Sequence, residues 1–195
     1  SRILLEKINV KDKKILIYND SSDANNRKGI LDILNNSSFV SISFIDIVFG
    51  KLIIPVDSNN LNKKYPLVIG VAGSLGWADH HYEYLKMYRE MGIATFELNS
   101  FKSRGISSTV GTQNEVTIAA MIVDSYMALE KLSTHPLIDK NRISITGWSL
   151  GGGVTLFSAW LPVKNKFNKN LSFASHLAYY PPCFIEPENL EFSKS

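Results

Sequence analysis

Ser149 lies between two glycines in the stretch ITGWSLGGGV, where Gly147 and Gly151 give the spacing G-x-S-x-G. A serine hydroxyl raised on a sharp strand-to-helix turn can attack a carbonyl carbon, and glycines flank it because side chains there would collide with neighbouring backbone. The strand-like RISITG leads into the motif and the helix-like LGGGVTLFSAW follows it. This context predicts a nucleophilic serine, and the alternative is a structural glycine turn with a buried serine.

Backbone N–H groups near Ser149 could stabilise the oxyanion that such an attack produces. Leu150 opens the predicted helix, so its N–H lies at the helix N-terminus, where the helix dipole also favours negative charge. A second donor is expected from the loop AGSLG at 72–76, which follows an earlier strand. We predict the N–H of Ser74 for this role, with Leu75 as the next candidate.

The elements that must position these residues alternate between strand and helix. Strand-like runs are KKILIY, PLVIGVAG, IATFELN, RISITG and FASHLAYY, and helix-like segments separate the last four. PLVIGVAG is apolar almost throughout, which is typical of a strand buried on both faces of a parallel sheet. We therefore expect an α/β fold with a mostly parallel central sheet, right-handed crossovers and helices on both faces. VSISFIDIVF followed by KLIIPV predicts a hairpin that turns at Gly50.

Capping signals and apolar spacing predict two helices before the serine. In WADHHYEYLKMYREMG, Asp79 is a candidate N-cap, Leu85 and Tyr88 share one face, and Gly92 follows the end. A second helix is expected to begin with a capping box of the form T-x-x-E and to run to about Leu132. The box residues and the apolar positions of its stripe are Thr112, Glu115, Val116, Ala119, Ala120, Val123 and Met127.

Composition restricts the class of protein and its partners. The chain has 195 residues, 45% of them hydrophobic, which fits one domain over residues 1–195 with residues 1–38 as a poorly defined leader. The 21 basic and 18 acidic residues are scattered and leave a formal charge of +3, too weak a field to indicate nucleic acid or a membrane as partner. Cys183 is the one cysteine, so an internal disulfide is excluded.

No apolar run has the length of a membrane span, so we expect a soluble protein, whether cytoplasmic, periplasmic or secreted. A homodimer stays among the alternatives for its oligomeric state.

Several longer motifs, in their order and spacing, resemble the dienelactone hydrolase family of α/β-hydrolases. They are PLVIGVAGSLGW, MGIATFELNSFKSRG, HPLIDKNRISITGWSLGGG and HLAYYPPC, and the resemblance runs from about Gly50 to Cys183. It implies an eight-stranded, mostly parallel sheet and a triad of nucleophile, acid and histidine that cleaves esters or lactones, with Ser149 as the nucleophile. The oxyanion loop of that family usually reads H-G-x-x-G. This chain has Ala72 before Gly73, which changes the side-chain contacts of the loop but not its backbone donor.

The acid and the histidine of such a triad are not evident in this sequence. α/β-Hydrolases place the acid and then the histidine after the serine. No aspartate follows Ser149, and the one histidine that does is His176, inside a strand-like run where a core or edge role is the simpler interpretation. Glu186 could act as the acid in a variant layout, but it would still need a base. We expect the acid, the histidine and the C-terminal strands and helix of the fold beyond residue 195, so that this chain alone should be nearly inactive.

The remaining histidines and one arginine complete the candidate residues. His80 and His81 could line the pocket, although they also fit a solvated helix start, and His135 lies in a predicted surface turn. Arg104 follows IATFELN on the carboxyl side of the sheet, where α/β folds bind ligands, so its guanidinium could face an acidic substrate. A solvated arginine is the alternative.

The leading hypothesis is a serine hydrolase that cleaves a small ester, thioester or lactone through an acyl-enzyme on Ser149. Such chemistry requires no metal and no organic cofactor. A non-catalytic binding domain that keeps the turn after losing the triad is the first alternative. Acyl transfer by the same serine to an acceptor other than water is the second.

Overall fold

A computed structural model describes residues 7–10, 13–19, 47–55, 63–111, 116–167, 171–183 and 191–193. Strands and helices alternate through most of these ranges. The strands are β1 Lys7–Val10, β2 Lys13–Asn19, β3 Ile47–Ile53, β4 Tyr65–Val71, β5 Ala94–Leu98, β6 Ile138–Trp148 and β7 His176–Tyr179. The helices are α1 Asp79–Glu90, α2 Ile118–Leu132, α3 Leu150–Ser158 and α4 Leu161–Phe167, with a 3₁₀ turn at Lys102–Arg104.

One seven-stranded sheet contains all of these strands, in the order β1-β2-β3-β5-β4-β6-β7. The pairs β2–β3, β5–β4, β4–β6 and β6–β7 are parallel, whereas β1–β2 and β3–β5 are antiparallel. α1 connects β4 to β5, α2 connects β5 to β6, and α3 and α4 connect β6 to β7. The expected α/β-hydrolase fold, with its mostly parallel sheet, is confirmed by this arrangement.

Helices cover both faces of the sheet, as side chains that alternate along β4 show. Val68 packs with Leu85 and Tyr88 of α1 on one face. Leu67 and Ile69 point to the other face, into the main hydrophobic core that α2 and α3 close. Because β4 is buried on both sides, its sequence is a continuous apolar run rather than an alternating one. The prediction of a doubly covered strand at PLVIGVAG is therefore confirmed.

The hairpin predicted at Gly50 is wrong. β3 runs straight through this glycine from Ile47 to Ile53 and pairs with β5 on one side and β2 on the other. A Cβ at Gly50 would overlap the ring of Phe96 on β5. The glycine therefore makes room for an aromatic side chain on the neighbouring strand, a use that has the same local appearance as a turn.

The first helix, α1, begins one residue earlier than an N-cap at Asp79 would allow. Ala78 is the N-cap residue, and its N–H donates to Nδ1 of His81 at 3.1 Å. Asp79 is instead in the first turn, where its negative charge favours the helix dipole. Leu85 is buried on the predicted face. Gly92 has φ 79° just after the helix, so the predicted C-terminal stop is confirmed.

The second helix, α2, ends at Leu132 as expected but begins at Ile118. Its N-cap is Thr117, whose Oγ1 accepts the N–H of Ala120 at 3.1 Å. The capping box predicted at Thr112 and Glu115 lies outside the described residues. The predicted stripe is confirmed in part: Val116 is buried and Ala120 and Met127 pack against the core, whereas Ala119 is exposed. The residues that face the core are Met121, Ile122, Asp124, Ser125, Tyr126, Ala128, Leu129 and Leu132.

The N-terminal part of the chain contributes strands to the same sheet. The predicted strand KKILIY is confirmed as β2, which lies inside the segment 1–38 that was expected to be a leader. β1 pairs with β2 at the edge of the sheet. The assignment of residues 1–195 to one domain stays a prediction, since parts of that range lie outside the described residues.

Candidate active site

Ser149 occupies the turn between β6 and α3 with a backbone conformation that side chains rarely adopt. Its φ is 54° and its ψ is −115°. Its N–H donates to the carbonyl of Tyr179 at 3.0 Å, and its own carbonyl accepts the N–H of Gly153 at 2.9 Å. A positive φ at a non-glycine residue costs on the order of 1–3 kcal/mol and persists only where the surroundings fix it. The strand on one side and the helix on the other hold the serine in this strained turn.

Two glycines allow the turn to be so tight. A Cβ at Gly147 would overlap the carbonyl of Gly151, and a Cβ at Gly151 would overlap the carbonyl of Val71 and lie 2.5 Å from that of Ala72. The backbone of α3 therefore packs directly onto the end of β4. The G-x-S-x-G spacing is required by these close approaches, as the sequence predicted.

The loop after β4 lies against the serine. A Cβ at Gly73 would lie 3.2 Å from the carbonyl oxygen of Trp148 and 3.5 Å from Cβ of Ser149, so the loop lies beside the serine turn. The carbonyl of Gly73 accepts the N–H of Gly76 at 2.9 Å, which fixes the peptide between Gly73 and Ser74. Because a trans peptide directs its N–H opposite to its carbonyl, the N–H of Ser74 points away from this turn. Within the described residues that N–H has no hydrogen-bond acceptor.

A second loop holds the same segment from the other side. The carbonyl of Ser74 accepts the N–H of Thr109 at 2.9 Å and the hydroxyl of Ser108 at 3.2 Å. Both peptides that flank Ser74 are thus oriented by hydrogen bonds of their carbonyls. Leu150 is the first residue of α3, and its N–H is among those that a helix leaves without an intrahelical acceptor. The expected donors, at Ser74 and Leu150, therefore border the serine from two different elements.

Arg104 does not face the site, which corrects its expected contact with a substrate. Its guanidinium forms two hydrogen bonds with the carboxylate of Asp124, with Nη1–Oδ2 at 2.7 Å and Nη2–Oδ1 at 3.0 Å. Nη1 also donates to the carbonyl of Ser100 at 2.8 Å. The Asp124 side chain is fully buried and that of Arg104 is 11% exposed. A buried carboxylate on α2 requires a paired cation, so the Arg104 guanidinium has a structural role.

Two of the four histidines are poor bases: His81 is buried and His176 is partly buried. His81 packs on the indole of Trp148 with ring centroids 4.6 Å apart, and burial, helped by the charge of His80, lowers its pKa to about 4. His176 lies in β7, and burial, with a smaller contribution from Lys164, lowers its pKa to about 4. Neither ring nitrogen of His176 has a hydrogen-bond partner within the described ranges. The prediction of a sheet or core role for His176 agrees with this placement.

The other two histidines are at the surface. Nε2 of His80 lies 3.3 Å from the hydroxyl of Tyr180, and both side chains are exposed. Nδ1 of His135 accepts the N–H of Leu137 in the turn before β6. Glu186 lies outside the described residues. His80 thus contacts the residue that follows Tyr179, whose carbonyl accepts the N–H of Ser149.

Tyr180 is a residue of this region that the sequence analysis missed. Its φ is 37°, and among the described residues it and Ser149 are the non-glycine residues with positive φ. The two are linked because Tyr179, which precedes Tyr180, accepts the N–H of Ser149. The available signal was its position at the carboxyl end of a strand next to β6, where α/β folds place ligand-binding residues.

Neither a metal centre nor a membrane helix is found in the part of the chain that the structure describes. There, no group of three or more His, Cys, Asp or Glu side chains could hold a metal ion. No helix in those ranges is long and apolar enough to cross a membrane. Within the same ranges, the turn carries the Ser149 hydroxyl, and the N–H of Ser74 in the loop after β4 has no hydrogen-bond acceptor.

Comparison with known families finds a match over part of the chain. The model of the acetyl xylan esterase family (AXE1) matches residues 90–182, a range that begins at the end of α1 and includes β5, α2, β6, the serine turn and β7. This family is an esterase family other than the dienelactone hydrolases that the sequence motifs resemble. No curated protein matches the chain.

Among solved structures, similar chains are also esterases and hydrolases. Est1E from Butyrivibrio proteoclasticus, with ferulic acid bound, is 22% identical with a TM-score of 0.47, over 63% of this chain and 46% of that one. An acetyl ester-xyloside bifunctional hydrolase from Caldicellulosiruptor lactoaceticus is 22% identical with a TM-score of 0.41, over 64% and 43%. A lipase/esterase from Lactobacillus plantarum is 10% identical with a TM-score of 0.47, over 86% and 56%. The matched region spans about half the length of these proteins.

Proposed function

We propose that the protein is a serine hydrolase in which Ser149 attacks the carbonyl carbon of an ester and forms an acyl-enzyme. The observation that carries this proposal is the conformation of Ser149, with φ 54° and ψ −115°, between a buried strand and a helix N-terminus. Strain of this kind is retained where it serves function, and here it raises a hydroxyl at the edge of the sheet. The turn is thus interpreted as a nucleophile elbow.

The oxyanion is proposed to lie between the N–H groups of Leu150 and Ser74. As the Ser149 Oγ bonds to the carbonyl carbon, the carbonyl oxygen gains negative charge, and fixed N–H donors stabilise that charge better than mobile water does. Hydrogen bonds to Gly76, Thr109 and Ser108 fix the peptides on both sides of Ser74 before any substrate binds. The donor is therefore preorganised.

A general base and its orienting acid complete the proposed reaction. The base takes the Ser149 proton, returns it to the leaving alcohol, and then activates the water that cleaves the acyl-enzyme. His81 and His176, with pKa values near 4, are unsuited to this role at neutral pH. We propose that the base and the acid come from residues outside the described ranges.

The substrate class proposed is a small ester, thioester or lactone. The motifs that resemble the dienelactone hydrolases favour lactones and small esters, and the match of residues 90–182 to the acetyl xylan esterase family favours acetyl esters. Hydrolysis of a lactone and hydrolysis of an acetyl ester both transfer an acyl group from the serine to water, so the site geometry supports the two substrates equally. A panel of acetyl esters and unsaturated lactones, compared by kcat/KM, separates the two.

Labelling with a fluorophosphonate probe tests the assignment of Ser149. The full-length protein is expected to be labelled once, on the peptide that contains Ser149, and its Ser149→Ala variant to be unlabelled. Ser172→Ala, at an exposed serine before β7, is the matched control and should be labelled like the wild type. Labelling that persists in Ser149→Ala would overturn the assignment, and a folded wild type that neither reacts nor turns over esters would favour the binding-domain alternative.

A further inference from the structure

A cavity of about 280 Å³ opens at the carboxyl ends of β4 and β5. Its walls are mainly apolar. The loop after β4 contributes Ala72, Leu75 and Trp77, the loop after β5 contributes Phe101 and Ile106, and α2 contributes Met121. The exposed side chains of Lys102 and Ser107 lie at its rim. Such a lining suits an apolar group with its polar end toward solvent.

Hydrogen bonds hold the two loops that form this cavity. Nε1 of Trp77 donates to the carbonyl of Leu98 at the end of β5, at 3.0 Å. The carbonyl of Ser74 accepts the N–H of Thr109, which ties the loop after β4 to the segment that follows Ile106. The cavity is thus preformed, and a ligand would not need to order its walls.

The cavity lies beside the serine turn. Ser149 follows β6, and β6 is the direct neighbour of β4, whose following loop forms one wall. Neighbouring strands lie about 4.8 Å apart, so roughly the width of one or two strands separates the hydroxyl from the cavity. Gly73 immediately follows Ala72 in that wall, and a Cβ at Gly73 would lie 3.5 Å from Cβ of Ser149. A group joined to the reacting carbonyl by a few bonds can therefore reach the cavity.

We propose that this cavity binds an apolar, ring-sized group of the ester and selects substrates that carry one. The inference rests on the proposed function and specifies its substrate. A cavity of this volume is at the small end of ligand sites, so it accommodates a single ring rather than an extended chain of rings. Burial of that group in the cavity positions the carbonyl between Ser149 and the N–H of Ser74. The group could belong to the acyl or the alcohol side of the ester, and the same cavity serves either.

Two matched ester pairs test the proposal and identify the side. Benzyl acetate against methyl acetate places the ring on the alcohol, and methyl phenylacetate against methyl acetate places it on the acyl group. In the full chain, kcat/KM for the ring-bearing ester is expected to exceed that for methyl acetate at least tenfold in one pair, because a buried ring replaces its contact with water. A ratio near one in both pairs would overturn the proposal while leaving the hydrolase assignment intact.

Variants assign the preference to this cavity. Ile106→Ala removes part of the wall and should lower the tenfold ratio to about threefold or less, mainly through KM. Ile54→Ala is the matched control, since Ile54 also packs against the main core but does not line the cavity. It should preserve the ratio. If the ratio of kcat/KM between the ring-bearing ester and methyl acetate were the same in both variants, the cavity would not be the source of the preference.

A binding measurement separates this proposal from the function on which it rests. N-benzylacetamide is the amide counterpart of benzyl acetate and resists hydrolysis, and saturation-transfer NMR detects its binding without turnover. Binding that Ile106→Ala weakens and Ile54→Ala does not would support the cavity even if no ester were cleaved. Ester turnover without a ring preference and without amide binding would reject the cavity alone.

Discussion

Arg104 and Asp124 form a bidentate ion pair that joins the loop after β5 to the middle of α2. The Nη1–Oδ2 distance is 2.7 Å and the Nη2–Oδ1 distance is 3.0 Å. The carboxylate is fully buried, and the guanidinium nearly so. A pair in this setting adds little net stability by itself, but removal of one partner leaves the other charge buried and uncompensated. The loop that this pair fixes is the one that carries Phe101 and Ile106.

Asp124→Ala is expected to lower the free energy of unfolding by about 3–5 kcal/mol, because it leaves the buried Arg104 guanidinium without its carboxylate partner. Urea denaturation measures this loss. Asp139→Ala is the control, since Asp139 forms an exposed pair with Arg142, and its loss should be much smaller. Equal losses in the two variants would contradict the burial described for Asp124.

Gly151→Val should disrupt the serine turn. The added side chain has no room against the carbonyls of Val71 and Ala72, and a β-branched residue is also unfavourable in the helix that follows. A loss of about 2–4 kcal/mol, or failure to fold, is expected. Gly105→Asn is the control: Gly105 has φ 74° and open space around its Cα, conditions that asparagine tolerates. Wild-type stability in Gly151→Val would show that the packing of α3 on β4 is not as described.

Acidification should destabilise the protein partly through His176. Burial lowers the pKa of this histidine from 6.5 to about 4, so the folded state binds its proton less readily than the unfolded state. The stability that the neutral histidine contributes is complete above pH 6.5 and is lost as the pH falls toward 4. The free energy of unfolding then changes by at most about 1.4 kcal/mol per pH unit. His176→Gln should flatten the dependence of the urea midpoint on pH in this window. An unchanged slope would mean that folding does not lower the pKa of His176.

Thr117→Ala should destabilise α2 by about 1 kcal/mol, because it removes the hydroxyl that accepts the N–H of Ala120. Thr117→Ser keeps that acceptor and should remain close to the wild type. Thermal unfolding of the two variants gives the comparison. A Thr117→Ser variant as unstable as Thr117→Ala would place the helix start elsewhere.

Local sequence signals were sufficient for the central sheet and for the turn. PLVIGVAG predicted β4 because a doubly buried strand is a continuous apolar run, and the glycine spacing around Ser149 predicted a close approach of backbones that the structure contains. Each signal lies within a few residues of the feature that it specifies. Both features can therefore be predicted from the local sequence, without knowledge of the tertiary structure.

Features that depend on distant partners could not be predicted in the same way. Gly50 accommodates the ring of Phe96, and Arg104 pairs with Asp124, which lies 20 residues further along the chain. Nothing adjacent to either residue indicates its partner. The same holds for Tyr180, whose place beside Ser149 follows from the pairing of β6 with β7. Topology, rather than local pattern, determines these contacts.

Mass spectrometry of the full-length protein, acid-quenched during turnover of an acetyl ester, shows whether Ser149 forms an acyl-enzyme. A mass increase of one acetyl group is expected on the peptide that contains Ser149; it should form within the first turnover and disappear when the ester is exhausted. Ester consumption without acetylation, or with acetylation on a different residue that survives in Ser149→Ala, would contradict an acyl-enzyme on Ser149.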